Sequence, residues 1–373
     1  MFEVHSSKKI LHANEIDEIY DDFIVETYPY VVRKTQNNGV RGYIKEKKEF
    51  LNEGNTLSFA QDTFSVFYQE KPYFTGNKVK ILVPLFTNFN KTLAVYFVSA
   101  FQKSLEKFTW GVGSTVESIM ETKIQLPTKD GEIDFVFMES FIAELEARRI
   151  AELEAYLVAT GLSNYRLTKV EEEALELFKE VDGGLKINRL QWDKFNIIDL
   201  FLVKNTFNIL SRDIIENSGE TPYLSASKGN NAISSYISYN KEFIDKGKCI
   251  FIGGKTFVVT YQEKDFYSND SHNLCLYLKD RAQVNRLNHF FMITSIKKSL
   301  GDKYSWGDSI SNEKIQSDTI LLPTTLSGSP DFAFMENLIS AIQKLVIKDV
   351  VAYADRKIAA TRQIVEQQKT SAN

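Results

Sequence analysis

The sequence predicts an α+β fold in which two similar domains of mixed β-sheet with short helices are separated by two long helices. Two observations predict it. The Leu-Pro-Thr stretch at Leu126 and the Asp-Phe-x-Phe-Met-Glu stretch at Asp134 return at Leu322 and Asp331, the latter with five of six residues identical. Each copy then continues as a long run of apolar residues at helical spacing. An internal repeat of this length indicates two equivalent units in a pseudo-twofold arrangement.

The runs that follow Asp134 and Asp331 are predicted to be long helices. Both aspartates are favourable N-cap residues, and the apolar positions after them are spaced mostly by three and four, as on one helical face. The two stripes consist of Phe135, Met138, Ile142, Leu145, Ile150, Leu153 and Leu157, and of Phe332, Met335, Ile339, Ile342, Val346, Val350 and Tyr353. Helices that end near Thr160 and Gln363 would be roughly 40 to 50 Å long, at about 1.5 Å per residue.

Stripes of this length must be buried. The two helices are therefore predicted to pack antiparallel against each other; the alternative is that each helix packs on its own domain. Gly161 is a natural stop for the first helix. The capping-box pattern from Thr168 to Glu171 predicts a further helix that ends near Glu180.

The two β-rich blocks repeat each other in detail. In the first block, strands are predicted at 28–32, 55–59, 63–68 and 78–83, and a short helix at 93–105, from runs of β-branched and aromatic residues and from helical spacing. Thr63–Lys71 matches Thr256–Lys264 at seven of nine positions. The second block also has a lead-in, Gln191–Phe201, whereas the first begins near the counterpart of Phe201, so its start is either naturally short or trimmed. The predicted domains are 1–128, 129–185, 186–325 and 326–373.

Composition narrows the class of protein. The 373 residues, 43% hydrophobic and 25% charged, are typical of a globular protein with two domains. No run is long enough to span a bilayer, and no signal-peptide pattern opens the chain. Two cysteines, Cys249 and Cys275, cannot form a disulfide framework or a four-thiolate metal site, so we expect a reducing cytoplasm. The net charge of −4 means that any nucleic-acid binding must depend on local basic patches.

Catalytic patterns are missing from the sequence. The stretch Gly253–Thr256 ends like a phosphate-binding loop, but the required first glycine would fall at Cys249, and the chain continues as a strand. There is no nucleophile elbow, zinc-ligand spacing or dinucleotide fingerprint. We therefore expect no catalytic residue, no metal and no cofactor in this chain.

Two polar loop clusters in each block remain as candidate binding residues. Their side chains are of the kinds that read base edges or contact phosphates. In the first block they are Arg33, Lys34, Gln36, Asn37, Asn38 and Arg41, with Gln61 and Thr63. In the second block they are Ser225, Ser227, Lys228, Asn230 and Asn231, with Lys255 and Thr256. Asn38 and Asn231 could equally serve as turn residues, because asparagine tolerates a left-handed φ. Trp110 and Trp306 are predicted to pack rather than to stack on bases.

The duplicated β-rich block that ends in Leu-Pro-x and a long helix resembles the specificity subunit of a type I restriction–modification system. The stretches at Asp134 and Asp331, the Tyr-Gln-Glu-Lys segments, and the lead-in from Trp192 to Phe201 carry the resemblance. It covers essentially the whole chain. The resemblance implies two target-recognition domains that each read one half of a bipartite double-stranded DNA sequence, with the long helices setting the distance between the halves.

The resemblance also implies partners. Two modification subunits, which carry S-adenosylmethionine and transfer the methyl group, would dock on the helices, and the resemblance allows a restriction subunit as a further partner. Docking candidates are Phe141 and Ala147, with their counterparts Leu338 and Lys344, of which Lys344 departs from an apolar surface. The alternatives are a specificity subunit of a combined enzyme that cuts on both sides of its site, and a stand-alone nuclease or methyltransferase.

Overall fold

The computed structural model describes residues 1–105, 119–182 and 190–371. The chain divides into two compact units, Met1–Leu153 and Glu154–Asn373. Both units contain sheets and helices, so the predicted α+β class with two sheet-rich domains is confirmed. The finer domain boundaries at 128, 185 and 325 stay predictions. Among the described helices, none combines the length and the apolar character that a membrane span requires.

The first unit is built from a four-stranded sheet, a three-stranded sheet and a two-stranded hairpin. Its elements are β1 (Phe2–Ser6), β2 (Tyr28–Val31), β3 (Val40–Ile44), β4 (Thr56–Ala60), β5 (Ser65–Gln69), β6 (Phe74–Thr75), β7 (Val79–Pro84), α1 (Lys91–Leu105), β8 (Thr128–Lys129) and β9 (Glu132–Ile133). Helix α2 (Phe135–Ala159) begins in this unit and continues past the boundary at Leu153. The larger sheet has the order β1-β7-β4-β5 and the smaller one β3-β2-β6. A core of leucine and phenylalanine side chains lies between the larger sheet and α1, and Met138 of α2 joins it.

The second unit repeats this architecture and adds a strand pair. Its elements are α3 (Lys169–Asp182), β10 (Gln191–Asn196), α4 (Ile197–Leu200), β11 (Phe201–Asn205), β12 (Thr221–Leu224), β13 (Ile233–Ile237), β14 (Cys249–Ile252), β15 (Val259–Gln262), β16 (Tyr267–Ser268), β17 (Leu274–Leu278), α5 (Arg286–Leu300), β18 (Thr319–Thr324) and α6 (Phe332–Ser371). Its sheets have the orders β11-β17-β14-β15, β13-β12-β16 and β10-β18. Strands β14, β15 and β17, helix α5 and the start of α6 enclose the core.

The four-stranded and three-stranded sheets of the two units share their topology strand for strand. In each three-stranded sheet, the first strand pairs antiparallel with the second and parallel with a short third one. Both antiparallel pairs have an irregularity at the same place, between Tyr30 and Val31 and between Tyr223 and Leu224. Phe64 and Phe257 both have a positive φ, 52° and 51°. The sequence duplication is thus a duplication of backbone conformation.

The predicted helix boundaries follow from local hydrogen bonds. The Asp134 and Asp331 carboxylates accept backbone N–H groups three residues on, at 2.8 and 2.9 Å. Gly161 has φ +71°, and the N–H of Leu162 donates to the carbonyl of Leu157, which is the Schellman arrangement. The capping box is also present, because the Thr168 N–H donates to the Glu171 carboxylate at 2.7 Å.

Burial of the apolar stripes is only partly as predicted. Met138, Ile142, Leu157 and Met335 are buried. The outer part of the second stripe is exposed, with Ile342, Val346, Val350 and Tyr353 all at least 39% accessible. These side chains are exposed because α6 packs against α3 and α5 of its own unit through other faces of the helix. Antiparallel packing of the two long helices stays a prediction.

The predicted Leu-Pro-Thr strand forms in the second copy alone. There β18 pairs antiparallel with the lead-in strand β10, from Gln191–Thr324 to Asn196–Thr319. In the first copy residues 122–127 form no strand, and only Thr128–Lys129 pairs, in the short hairpin β8-β9. The prediction was wrong for the first copy because a strand needs a partner, and among the described residues of the first unit no strand equivalent to β10 pairs with this segment. A cavity of about 470 Å³ lies there, lined by apolar side chains such as Phe2, Ile124 and Leu126.

Candidate nucleic-acid interface

In the second unit, the two predicted polar loops meet. One follows β12 and contains Ser225 and Ser227; the other connects β14 to β15 and contains Lys255 and Thr256. The Thr256 hydroxyl donates to the carbonyl of Ala226 at 2.7 Å, which joins the loops directly. A single surface therefore carries hydroxyl groups and the Lys255 ammonium, although these residues are far apart in sequence.

In the first unit, an ion pair joins the two equivalent loops. Arg33, after β2, forms an ion pair with Asp62, in the turn between β4 and β5. Lys78 approaches the same carboxylate at 3.1 Å. Burial alone would raise the pKa of Asp62, but hydrogen bonds from Lys78 and Arg33 lower it below its ordinary value. The cluster of the first unit is thus a cationic pair around one carboxylate, whereas that of the second unit is mainly hydroxyl groups and lysine.

The paired asparagines hold the first loop of each unit in the same conformation. Asn38 and Asn231 both have φ +52°. Their side-chain amides donate to the carbonyls of Tyr68 and Tyr261, at 2.8 and 2.9 Å. In return, the buried side-chain amides of Gln69 and Gln262 donate to the backbone carbonyls of Asn38 and Asn231, at 3.0 and 2.9 Å. These bonds identify both asparagines as turn residues, and they explain why the glutamine of the Tyr-Gln-Glu-Lys segment is repeated.

The neighbouring asparagines are also turn residues. Asn37 and Asn230 have φ +49° and +47°, and their amides donate to the carbonyls of Val40 and Ile233, at 3.2 and 3.0 Å. All four asparagines of the two loops nevertheless remain exposed. A contact between these side chains and DNA stays a prediction.

The remaining predicted residues lie around these loops. Lys34 and Gln36 are exposed beside Arg33, Arg41 is exposed on β3, and Lys228 is exposed after Ser227. Gln61 is half-buried, and the hydroxyl of Thr63, also half-buried, lies 2.7 Å from that of Ser65. The structure therefore brings the two predicted loops of each unit together, through Arg33 and Asp62 in the first unit and through Thr256 and Ala226 in the second.

Gly253 and Gly254 serve close packing and not phosphate binding. A Cβ atom on Gly253 would lie 2.7 Å from the Cβ of Ala226, and one on Gly254 would lie 2.4 Å from the carbonyl oxygen of His272. Their N–H groups are already used, because they donate to the Val258 carbonyl at 2.8 Å and to the Asn273 side chain at 3.0 Å. The glycines let the loops of the second unit approach each other.

Sequence reasoning missed one side of this surface in the second unit. A pocket of about 330 Å³ is lined by both predicted loops, by the segment Asn269–Asn273 before β17, and by Trp306. Lys255 pairs with Asp270 at 3.3 Å. Burial alone would raise the pKa of Asp270, but its hydrogen bonds to His272 and Lys255 lower it. The turn residues Asn269 and Asp270 before a strand were the signal that could have indicated this segment.

The prediction that Trp306 packs was wrong. The residue is 75% exposed, because it lies in a tight turn where the N–H of Ser305 donates to the carbonyl of Asp308 at 3.2 Å and the reverse bond is 3.1 Å. The local sequence Ser-Trp-Gly-Asp is rich in turn-forming residues and could have indicated exposure. Trp110 lies outside the described residues.

The docking candidates are divided by the structure. Phe141 and Ala147 are exposed on α2, as predicted. Leu338 is wrong as a docking residue because it is buried in the core of the second unit. Lys344 is wrong as well, because its ammonium group forms a 2.8 Å ion pair with Glu171 of α3. Exposed apolar side chains on α6 are instead Ile342, Leu345, Val346, Val350 and Tyr353.

Within residues 1–105, 119–182 and 190–371, no group of three or more His, Cys, Asp or Glu side chains is arranged to hold a metal ion. Cys249 and Cys275 are free thiols buried in adjacent strands.

A comparison with known protein families identifies the family to which this architecture belongs. Residues 1–155 and 190–352 match the family described as type I restriction modification DNA specificity domain, once for each unit. The chain belongs to this family. It is a specificity subunit of a restriction–modification system, a class of protein that recognises DNA and is not itself catalytic. The polar clusters described above are accordingly candidates for contact with DNA.

Individual relatives agree with this assignment. The type II restriction enzyme BgcI specificity subunit S.BcgI of Heyndrickxia coagulans is 24% identical over 324 residues, which is 86% of this chain and 87% of that protein. Among solved structures, the S subunit of a type I restriction–modification system from M. genitalium superposes with a TM-score of 0.60 at 13% identity, over 98% of this chain and 92% of that one. The fold is therefore that of known specificity subunits.

Proposed function

We propose that each unit reads one half of a bipartite double-stranded DNA target. The observation that supports this most strongly is the pair of equivalent loop clusters, which share a backbone frame and differ in side chains. Clusters with the same geometry and different hydrogen-bonding groups are suited to reading two different sequences.

Each cluster offers both kinds of contact that sequence-specific binding needs. Exposed cations such as Arg41 and Lys228 suit phosphate oxygens, which fix the register of the protein on the duplex. The hydroxyl groups of Ser225 and Ser227 and the guanidinium of Arg33 suit base edges in the major groove. The overall charge of −4 means that the clusters provide the attraction locally.

The proposal extends to the partners of the chain. Modification subunits would dock on the exposed apolar residues of the long helices, such as Phe137 and Phe141 on α2 and Val346 on α6. Two equivalent units would offer two equivalent docking surfaces. The modification subunits would carry S-adenosylmethionine and the methyl-transfer chemistry, and the helices would set the distance between the two half-sites. A restriction subunit would join this complex.

One observation favours a second candidate for the partner. The Heyndrickxia coagulans relative is the specificity subunit of a type II restriction enzyme. In that case the partner of this chain would combine restriction and methylation in one enzyme. Purification of the chain from its native cells, followed by identification of the bound subunits, would distinguish separate modification and restriction subunits from a combined enzyme.

The decisive experiment is methylome sequencing of cells that express this chain with the modification subunit encoded beside it. We expect methylated bases in a split motif. The double variant Arg33→Ala with Lys34→Ala should change one half of the motif, and Ser227→Ala with Lys228→Ala should change the other half. Lys71→Ala and Lys264→Ala are matched controls, because these lysines are equivalent, exposed and outside the clusters; both should leave the motif intact.

Two results would contradict the proposal. A continuous motif would show that the target is not bipartite. A split motif whose halves both respond to the variants of a single unit would show that the units do not divide the target between them. Co-purification of the variants with the modification subunit checks that each complex still forms.

A further inference from the structure

Trp306 is a large apolar side chain at the edge of a polar binding cluster. It lines the pocket of the second unit together with Ser225, Ser227, Lys255 and Asn269. Three quarters of its surface is exposed, although burial of an indole ring is strongly favoured. An exposed aromatic ring that adjoins hydrogen-bonding groups is typical of a surface that binds a partner.

The turn that carries Trp306 is held rigidly on the second unit. On its N-terminal side, the hydroxyl of buried Tyr304 donates to the carboxylate of buried Asp318 at 2.6 Å, and Lys303 pairs with the same carboxylate. On its C-terminal side, Lys314 pairs with Asp308 and donates to the carbonyl of Ser309 at 3.0 Å. A turn whose backbone is fixed in this way loses little conformational freedom when it binds.

The same turn is connected to the predicted loops. The ring of Tyr304 lies 5.7 Å from the ring of Phe257, centroid to centroid. Phe257 follows Thr256, whose hydroxyl joins the two predicted loops. Trp306 and the hydroxyl groups of the cluster are therefore parts of one preorganised surface.

We propose that Trp306 is a specificity-determining residue, which contacts a base edge in the half-site read by the second unit. This inference rests on the proposed function. The apolar group that base pairs present in the major groove is the C5-methyl group of thymine. The indole ring would discriminate at an A·T pair, while the neighbouring serine and lysine side chains make polar contacts.

The test uses the whole complex and the bacterial genome as the DNA probe. In methylomes of the Trp306→Ala complex, we expect methylation of near-cognate sites, relative to cognate sites, to rise by about tenfold at one A·T position of one half-site. Trp306→Phe should restore most of the discrimination. Leu326→Ala is the matched control, because Leu326 is a fully exposed apolar residue in another turn.

A second measurement tests the methyl contact itself. Duplexes that carry the motif are prepared with deoxyuridine in place of thymidine at that position, which removes the methyl group. We expect the substitution to weaken binding of the wild-type complex and to have no further effect on the Trp306→Ala complex, as in a double-mutant cycle. Additive losses would overturn the methyl contact.

The outcomes separate this inference from the function on which it rests. If Trp306→Ala leaves discrimination unchanged while Ser227→Ala alters the same half-site, the inference fails and the proposed function stands. An equal loss of methylation at cognate and near-cognate sites also overturns the inference. If neither variant alters either half-site in a complex that still assembles, the proposed function fails with it.

Discussion

The asparagine in the first loop of each unit shapes the binding surface through its backbone. Asn38 and Asn231 adopt a left-handed φ, which costs most residues roughly 1 to 2 kcal/mol and asparagine less. Their amides also bridge to the neighbouring strand. The loop side chains that face solvent are therefore presented from a frame that the asparagines determine.

Replacement of Asn231 tests this role. Asn231→Ala should lower the free energy of unfolding by about 2 kcal/mol, because it removes a hydrogen bond worth about 1 kcal/mol and places a Cβ-bearing residue without a compensating bond at a left-handed φ. Asn231→Gly should lower it less, because glycine tolerates that φ. Guanidinium unfolding measures both. If both variants lose the same free energy of unfolding, the left-handed φ does not destabilise alanine at this position.

Much of this surface could be predicted from sequence because its determinants are local. The Asn-Asn pairs indicated a turn, and repetition at the same spacing indicated that both units have the same turn. The position of Trp306 beside Lys255 could not be predicted, because it depends on how Tyr304 packs on Phe257. A contact of that kind is determined by the order of strands in the sheet and by the side chains between them.

At the scale of helices, a buried ion pair fixes α3 to α6. The Glu171 carboxylate accepts hydrogen bonds from Ser340 at 2.6 Å and from Lys344 at 2.8 Å. Burial alone would raise the pKa of Glu171, but these bonds and those from Thr168 lower it to about 2. The capping box predicted α3 and the helical periodicity predicted α6, but neither predicted this ion pair, because a lysine on an amphipathic helix is more often exposed.

This pair predicts a pH dependence of stability. The pKa of Glu171 is lower in the folded than in the unfolded chain, so its stabilising effect is fully present above the unfolded value of about 4.5 and is lost as the pH falls towards 2. Lys344→Met, which leaves the carboxylate buried without its cation, should reduce the free energy of unfolding at pH 7 by about 3 kcal/mol. Thermal unfolding at several pH values measures both effects.

Lys348→Met is the matched control for this experiment, because Lys348 lies one turn further along α6 and is exposed. It should change stability little. Glu171→Gln should flatten the dependence between pH 4.5 and 2. If the acid sensitivity of that variant equals that of the wild type, other carboxylates are responsible.

Strand β10 accounts for a difference between the units. Trp192 and Phe195 pack on the core of the second unit, and the Trp192 ring stacks on Phe291 with centroids 6.1 Å apart. The first unit has the apolar cavity near Ile124 and Leu126 instead. That residues 122–127 form no strand followed only from the structure, because no strand equivalent to β10 pairs with them among the described residues.

A fusion tests whether this strand is transferable. A copy of residues 190–200 joined directly ahead of Phe2 reproduces the spacing between β10 and β11. Burial of its two aromatic rings should stabilise the first unit by about 1 to 3 kcal/mol after the entropy of ordering the strand is subtracted. Hydrogen exchange of residues 122–127 would detect the new pairing. A control fusion with alanine at both aromatic positions should leave the amides of residues 122–127 unprotected. If these amides are protected in both fusions, burial of the aromatic rings is not what stabilises the added strand.

At the scale of the whole molecule, duplication gives the chain two equivalent candidate surfaces for contact with DNA. The frame is held by residues that the units share, such as Gln69 and Gln262. The loop residues differ, with Arg33 opposite Asp62 in one unit and Ala226 opposite Lys255 in the other. Under the proposed function, we expect that recognition can change in one unit without a change in the other.

An exchange of loops tests this independence. The segment Ser225–Asn231 is replaced by the sequence of Val32–Asn38, and Lys255→Asp supplies a partner for the transferred arginine. Gly254 is kept, because a Cβ atom there would lie 2.4 Å from the His272 carbonyl oxygen. We expect the half-site of the second unit to acquire bases of the other half-site, since the transferred side chains meet the DNA from an equivalent frame. Methylome sequencing would show a motif that is more nearly symmetric.

An unchanged motif from an assembled complex would mean that bases are read outside this loop, and a change in both halves would mean that the units do not act independently.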